Sequence, residues 1–365
     1  MAVQLGLDWD AGERALLIPQ IAMNDLHGGL SRRDFLKLSG AGLLGVLLPG
    51  RALSLLPDPG LQGRITSGLL WAYDEPSNKA RKIKMYWRDL VVPITSTALD
   101  DDASLYNRVW YETADGAYLY SGWVQPVRTV LNQPYYGFFP ADGLLGEVTV
   151  PFTDAHEKAD KASRVAYRMY YETTHWLMET VVGTDGEAWY RVFDDKWKKF
   201  YFAPAKHLRL VPDEELSPLS PDVPVEKKRV EVQLDNQLML AYEANRLVYA
   251  ARVASGAIFR VGTYTTPTGT FMTYHKRPTR HMAAGDLAAS GFDLPGVPWV
   301  LYITESGISF HGTYWHNDFG RPRSHGCINL SPAAAKWLFR WTSPTVDPRA
   351  QFAYESKGTV VNIVK

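Results

Sequence analysis

Pro212, Pro218, Pro221 and Pro224 fall within residues 212–224, interleaved with Asp213, Glu214, Glu215 and Ser217. Proline lacks a backbone N–H and fixes φ, so four at this density exclude a helix or a sheet strand. The segment predicts a semi-rigid linker and divides the chain into 57–211 and 225–365. Upstream lie short β-type runs broken by Gly, Asp and Asn, and a helical period surfaces only over 155–171. Downstream, Arg229-Val230-Glu231-Val232-Gln233-Leu234 alternates with period two, which puts the valines and leucine on one face of a strand. Asp235-Asn236 supplies a turn into Leu238 to Tyr242, and Leu247 to Val253 and Thr359 to Val364 predict further strands. One helix is expected, with Ser331 as N-cap and Pro332 at its first position. The expected fold is mainly β, with small β-barrel-like modules before the linker and a mixed β-sandwich with few helices after it.

Composition narrows function. The 39 basic and 39 acidic residues cancel, which leaves no excess of Lys and Arg to neutralise nucleic-acid phosphates. Twelve Trp and twenty Tyr suit strands, barrels and clefts for extended substrates. A faint internal repeat carries many of them. Trp110-Tyr111, Asp115, Tyr118, Tyr120 and Trp123-Val124-Gln125-Pro126-Val127 are echoed by Trp189-Tyr190, Asp194, Tyr201 and His207-Leu208-Arg209-Leu210-Val211. Both stretches resemble the end of a bacterial Src-homology-3-like barrel. That resemblance implies wall targeting or substrate positioning, while simple filling of small barrel cores explains the same aromatics.

At the N-terminus, Ser31-Arg32-Arg33-Asp34-Phe35-Leu36-Lys37 precedes an uncharged run from Leu38 to Gly50. This resembles a twin-arginine signal peptide, with Ala52-Leu53-Ser54 as a weak cleavage site and Met23 as the start giving the shorter leader. The run is shorter than the ~20 residues that span a bilayer. Residues 1–56 are therefore expected to export the chain to the periplasm, wall or outer face, peripheral to the membrane at most. A soluble helix with Ser31 as N-cap and Asp34 at the capping-box position is the bland alternative.

The chemistry lies before the expected helix. His311-Gly312-Thr313-Tyr314-Trp315 is followed by Ser324-His325-Gly326-Cys327-Ile328-Asn329, and Cys327 is the single cysteine, so no intramolecular disulfide forms. A free thiol is only a few per cent thiolate near neutral pH and needs a base beside it, a role open to His311. Attack on an amide creates an oxyanion, and the backbone N–H groups of the turn His325-Gly326-Cys327 can receive it, with Gly326 allowing the close approach. Arg321 and Arg323 flank Pro322, and their guanidinium forks suit carboxylates. Lys276, Arg277, Arg280 and His281 lie in a Gly- and Pro-rich stretch, 273–298, read as a lid. His311, His316, His325 and Cys327 form an alternative transition-metal set, although their spacing matches no common zinc motif. A papain-like order is disfavoured because there the cysteine lies far before its histidine.

The pattern His-Gly, loop, Ser-His-Gly-Cys-Ile-Asn is similar to that of the L,D-transpeptidases, with Ser306-Gly307 upstream and Thr266-Pro267-Thr268-Gly269 as a turn before a core strand. The resemblance covers about 225–365 and implies an acyl transfer without cofactor or metal. It implies Cys327 as nucleophile, His311 as proton acceptor and donor, Gly312 orienting His311 through its carbonyl, and His325 and Gly326 shaping the oxyanion hole. It implies substrate contacts from Ser306, Gly307, Asn329 and the Trp315 wall, with Ser324 and Arg323 beside them. The implied partners are peptidoglycan stem peptides, a tetrapeptide donor and an amine acceptor, with carbapenems as inhibitors. Hydrolysis by the same acyl-enzyme and non-catalytic wall binding are the competing outcomes.

Overall fold

Short runs of Val, Tyr and Trp punctuated by turn residues make short strands, and the first fourteen form two copies of one sheet. The computed structural model describes residues 60–259, 262–285 and 291–365; the leader-like segment 1–56 lies outside them. The first copy comprises β1 (Gln62–Ile65), β2 (Leu69–Tyr73), β3 (Lys82–Trp87), β4 (Val91–Leu99), β5 (Val109–Thr113), β6 (Tyr118–Tyr120) and β7 (Val124–Val127). The second comprises β8 (Leu144–Val148), β9 (Phe152–His156), β10 (Val165–Tyr170), β11 (Thr174–Val182), β12 (Ala188–Asp194), β13 (Lys199–Pro204) and β14 (Leu208–Leu210). Strand order is β3-β2-β6-β5-β4-β1-β7 in one and β10-β9-β13-β12-β11-β8-β14 in the other, the same order displaced by seven. A 3-10 turn, Ser121–Trp123 or Ala205–His207, precedes the last strand of each. The echoed residues occupy equivalent strands, and Trp110, Trp189 and Tyr190 are buried in the cores.

The helical period over 155–171 is overturned. Those residues make β9, a turn and β10. Asp160 closes the turn by accepting from the Ala162 amide through its side chain and from the Ser163 amide through its carbonyl. The two arms pair as antiparallel strands in place of successive helical turns.

After the linker come β15 (Lys228–Gln233), β16 (Leu238–Glu243), β17 (Arg246–Arg252), β18 (Ile258–Phe259), β19 (Gly262–Thr263), β20 (Gly269–Met272), β21 (His275–Ala284), β22 (Phe292–Tyr302), β23 (Ser309–Gly312), β24 (Ile328–Leu330), α1 (Pro332–Trp341), β25 (Ala353–Tyr354) and β26 (Val360–Val364). They build two five-stranded sheets, β17-β16-β15-β26-β20 and β24-β23-β22-β21-β25, and a small pair, β18-β19. Val230 and Val232 of β15 point inward with Val361 and Ile363 of the parallel strand β26, as the period-two pattern requires. They share a core with Leu301, Phe310 and Ile328 of the other sheet and Ala335, Leu338 and Phe339 of α1. Ser331 caps the helix by accepting from the Ala334 amide. At the other end Lys276 donates to the Phe339 and Thr342 carbonyls and Lys228 to that of Trp341, placing two cations at the negative end of the helix dipole.

The proline-rich segment is packed rather than loose. Leu216 is buried in the core, Glu215 joins Arg209 to Lys336 of α1, and Arg340 donates to the Ser217 carbonyl. Prolines bar regular structure but leave side chains free to dock. Stretch 273–298 is likewise no lid: β21 and β22 form a long hairpin built into the sheet, with only 286–290 at its tip outside the described residues. Lys276 is buried, and His281 is held between modules, with Nδ1 2.6 Å from Asp194 Oδ2 and Nε2 against Asp293.

His281 makes a pH prediction. Burial pulls its pKa down, but the carboxylates of Asp194 and Asp293 outweigh burial and raise it. A folded pKa above the unfolded value of about 6.5 gives stability that is complete below that pH and is lost as pH rises through the folded value. Between about pH 6 and about pH 9 the melting temperature should therefore fall more steeply for the wild type than for His281→Gln. Equal slopes would contradict the clamp.

Candidate active site

Alternation across β21 to β24 sorts the residues onto two faces. β23 pairs in parallel with β24, setting Phe310 opposite Ile328 and His311 opposite Asn329, and antiparallel with β22, setting Leu301 opposite Phe310 and Tyr302 opposite Ser309. His275 is opposite Tyr302 and Lys276 opposite Leu301. Lys276, Leu301, Phe310 and Ile328 therefore face α1 and the core. His275, Tyr302, Ser309, His311 and Asn329 take the other face. Cys327 immediately precedes β24 and, two residues before Asn329, shares that face with His311.

The turn that delivers the thiol requires glycine. Gly326 has φ +110°, and a Cβ there would meet nothing nearer than Ile308 at 3.8 Å, so the demand is conformational, not steric. Thr266 Oγ1 donates to the Gly326 carbonyl at 2.8 Å and accepts from the Gly256 amide at 2.8 Å, while Ser324 Oγ donates to the Cys327 carbonyl and accepts from the Gly326 amide. Ser324 is thus a turn brace, and the Gly326 amide has a partner already. Gly312 is glycine for a different reason: a Cβ would lie 2.7 Å from Pro298 Cγ.

The Gly312 carbonyl accepts a hydrogen bond from His311 Nδ1 at 3.1 Å. That tautomer leaves Nε2 with its lone pair as a base. Burial lowers the His311 pKa to about 4, against the opposing effect of the Gly312 hydrogen bond. Burial also pushes the Cys327 thiol up, partly countered by the Ser309 hydroxyl and amide. The resting pair is thus a neutral thiol and a neutral imidazole. The sulfur lies 3.6 Å from Ser309 Oγ and 3.7 Å from the Gly307 carbonyl. Ser309 was missed in the sequence, although its place two residues before His311 on a strand puts it on the same face.

The other expected residues divide. Trp315 packs on His311 with ring centroids 5.6 Å apart, and His325 stacks on Phe259 at 4.8 Å, with Tyr264 and Phe292 around it. Ser306 is exposed on the loop that holds Gly307, hydrogen-bonded to Thr304. Arg323 does not face the thiol with free donors: its Nε donates to Asp318 at 2.6 Å and its guanidinium lies 4.1 Å over Trp123. Arg321 is drawn to the same carboxylate, at 2.8 Å. Two further cations, Arg277 and Arg280, stand on β21, whose partner strand β22 carries Tyr302. They share the single carboxylate of Asp195, and both act on Tyr302, whose phenol is in turn raised first by burial and also by Cys327. Burial and then the neighbouring Arg280 charge lower Arg277, a sign of unrelieved like charge.

Residues 227–363 match the YkuD family model, the L,D-transpeptidase catalytic domain, and the described residues of that span are the two-sheet domain carrying the site. The match covers less than half of the chain, and the two repeated sheets lie outside it. Among solved structures, an L,D-transpeptidase from Mycobacterium smegmatis is 21% identical, covering 38% of this chain and 59% of that one, with a TM-score of 0.31. One from Xylanimonas cellulosilytica is 29% identical over 37% of this chain and 59% of that one, TM-score 0.26. L,D-transpeptidase 3 from Mycobacterium tuberculosis, in complex with a faropenem-derived adduct, is 17% identical over 46% and 73%, TM-score 0.30. The chain thus spans 59% of the first two structures. No curated protein matches it.

The contact between Ser309 and Cys327 sets a prediction. A neutral hydrogen bond is worth about 1 kcal/mol net, about fivefold in an equilibrium. Ser309→Ala should slow iodoacetamide alkylation of Cys327 about fivefold at a fixed pH of about 8, by raising the thiol pKa further. An unchanged rate would show that the hydroxyl does not support the thiolate.

Proposed function

We propose that this protein is an exported L,D-transpeptidase that cross-links peptidoglycan stem peptides through a thioester on Cys327. The observation that carries the reading is the placement of Cys327 and His311 on one face of the sheet, with the Gly312 carbonyl fixing the imidazole as a base. As the sulfur attacks the amide carbonyl before the terminal D-alanine, its proton passes to His311 Nε2. The His325 and Cys327 amides of the turn receive the oxyanion. Collapse breaks the C–N bond, and the D-alanine amine leaves with the proton from His311. An amine of a second stem then attacks the thioester, gives its proton to His311, and the sulfur departs and recovers it. The product is a new amide, with atoms and charge conserved.

Burial suits this sequence. Both resting groups are neutral, so the ion pair forms only as bond making supplies the compensating charge. Arg277 and Arg280, two guanidiniums on one carboxylate beside Tyr302, fit a stem-peptide carboxylate. A carbapenem carbonyl offers the same electrophile to Cys327. The leader read in 31–50 would take the chain out of the cytoplasm, and the repeated aromatic sheets would keep it at the wall.

Incubation with a disaccharide-tetrapeptide should yield cross-linked dimer and free D-alanine, abolished by Cys327→Ala. Arg280→Gln should raise KM about tenfold with kcat changed less than about threefold, the expected result for a charge that binds rather than reacts. Tripeptide without dimer would make the protein an L,D-carboxypeptidase, and turnover by Cys327→Ala would overturn the mechanism.

A further inference from the structure

The loop between Gly312 and Ser324 is held by its own domain, through the Val253 and Ser255 carbonyls, and also by the first sheet module. Asp318 has no exposed surface. Its Oδ1 accepts from Tyr106 Oη at 2.6 Å and from Tyr120 Oη at 2.9 Å, both residues of the first module. Its Oδ2 holds Arg321 and Arg323. Burial favours the protonated acid, but the Tyr106 hydrogen bond and the charges of Arg323 and Arg321 outweigh it and keep the carboxyl below its ordinary range. Neighbouring contacts follow: the Asn317 amide donates to the Gly122 carbonyl at 3.0 Å, and a Cβ on Gly122 would lie 2.6 Å from Asp318 Oδ1.

On its other side Asp318 reaches the site. Its amide donates to His316 Nδ1 at 3.2 Å, which leaves the His316 proton on Nε2. That Nε2–H donates to the Asn329 carboxamide, turned so that its otherwise unpartnered oxygen takes the position 3.1 Å from Nε2, and Asn329 is the register partner of His311, two residues after Cys327. The contacts run without a gap from two tyrosines of the first module to the strand pair that bears nucleophile and base.

We propose that the first module is a working part of the active site, and that Asp318, gripped by Tyr106 and Tyr120, is a positioning residue that sets His316 and Asn329 beside the nucleophile. Asp318 touches no reacting atom. The inference rests on the acyl-transfer reading for its kinetic test and on thiol reactivity alone for its second test.

The test uses the full chain with the double substitution Tyr106→Phe and Tyr120→Phe, which removes both O–H donors and leaves every charge and ring in place. Val92→Ala, in the core of the same module and remote from Asp318, controls for lost stability. The double variant should lose about tenfold in kcat with KM within about twofold, and its rate of Cys327 alkylation should change by about threefold or more. Val92→Ala should lower the melting temperature and leave both rates of the folded protein unchanged. Equal kinetic losses in Val92→Ala, or unchanged kcat and alkylation in the double variant, would overturn the inference. If the wild type transfers no acyl group, the proposed function fails, and the alkylation rates still decide the positioning role.

Discussion

The parallel pairing of β23 with β24 is the constraint from which the site follows. Two short strands, brought together from either side of a fifteen-residue loop, put His311 and Asn329 in register on one face, and the last loop residue, Cys327, turns its sulfur to Ser309 on that face. The opposite face of the same strands, Phe310, Ile328 and Leu330, is packed against α1, so neither strand can rotate or slip without exposing core. Chemistry and stability are therefore secured by one register. The same burial keeps the Cys327 thiol and the His311 imidazole neutral at rest.

The modules around this face are joined by polar contacts. Asp194 and Asp195 of the second repeat anchor His281 and Arg280 on the β21 wall, while Tyr106 and Tyr120 of the first hold Asp318 in the loop between base and nucleophile. Trp176 and Leu145 of the second repeat enter the same core as Trp299 and Phe339. Interfaces of this kind, with buried charges in satisfied networks, fix relative position at the expense of tolerance to substitution.

Much of this was legible in the sequence, for identifiable reasons. The β15 alternation, the Ser331-Pro332 helix start and the spacing of His311, Gly326 and Cys327 each reflect local rules that tertiary structure did not override. Readings failed where contacts from elsewhere decided. Arg323 stands two residues before His325, but its guanidinium is committed to Asp318 and to Trp123 of the first repeat. Ser309 carried no motif, because a hydroxyl two residues before a histidine acquires meaning only when a neighbouring strand brings a thiol to it. The apolar spacing over 155–171 matched a helix because the two arms of a hairpin repeat small and aromatic residues at intervals that a window cannot separate from 3.6.

The most direct measurement of the central claim is the intact mass of the protein during turnover of a disaccharide-tetrapeptide, followed by peptide mapping of the adduct. The predicted result is a transient species heavier by the donor minus alanine, attached to Cys327 and absent from Cys327→Ala. A folded wild type that releases D-alanine with no adduct at Cys327, or an adduct that persists in Cys327→Ala, would contradict a thioester mechanism on this face.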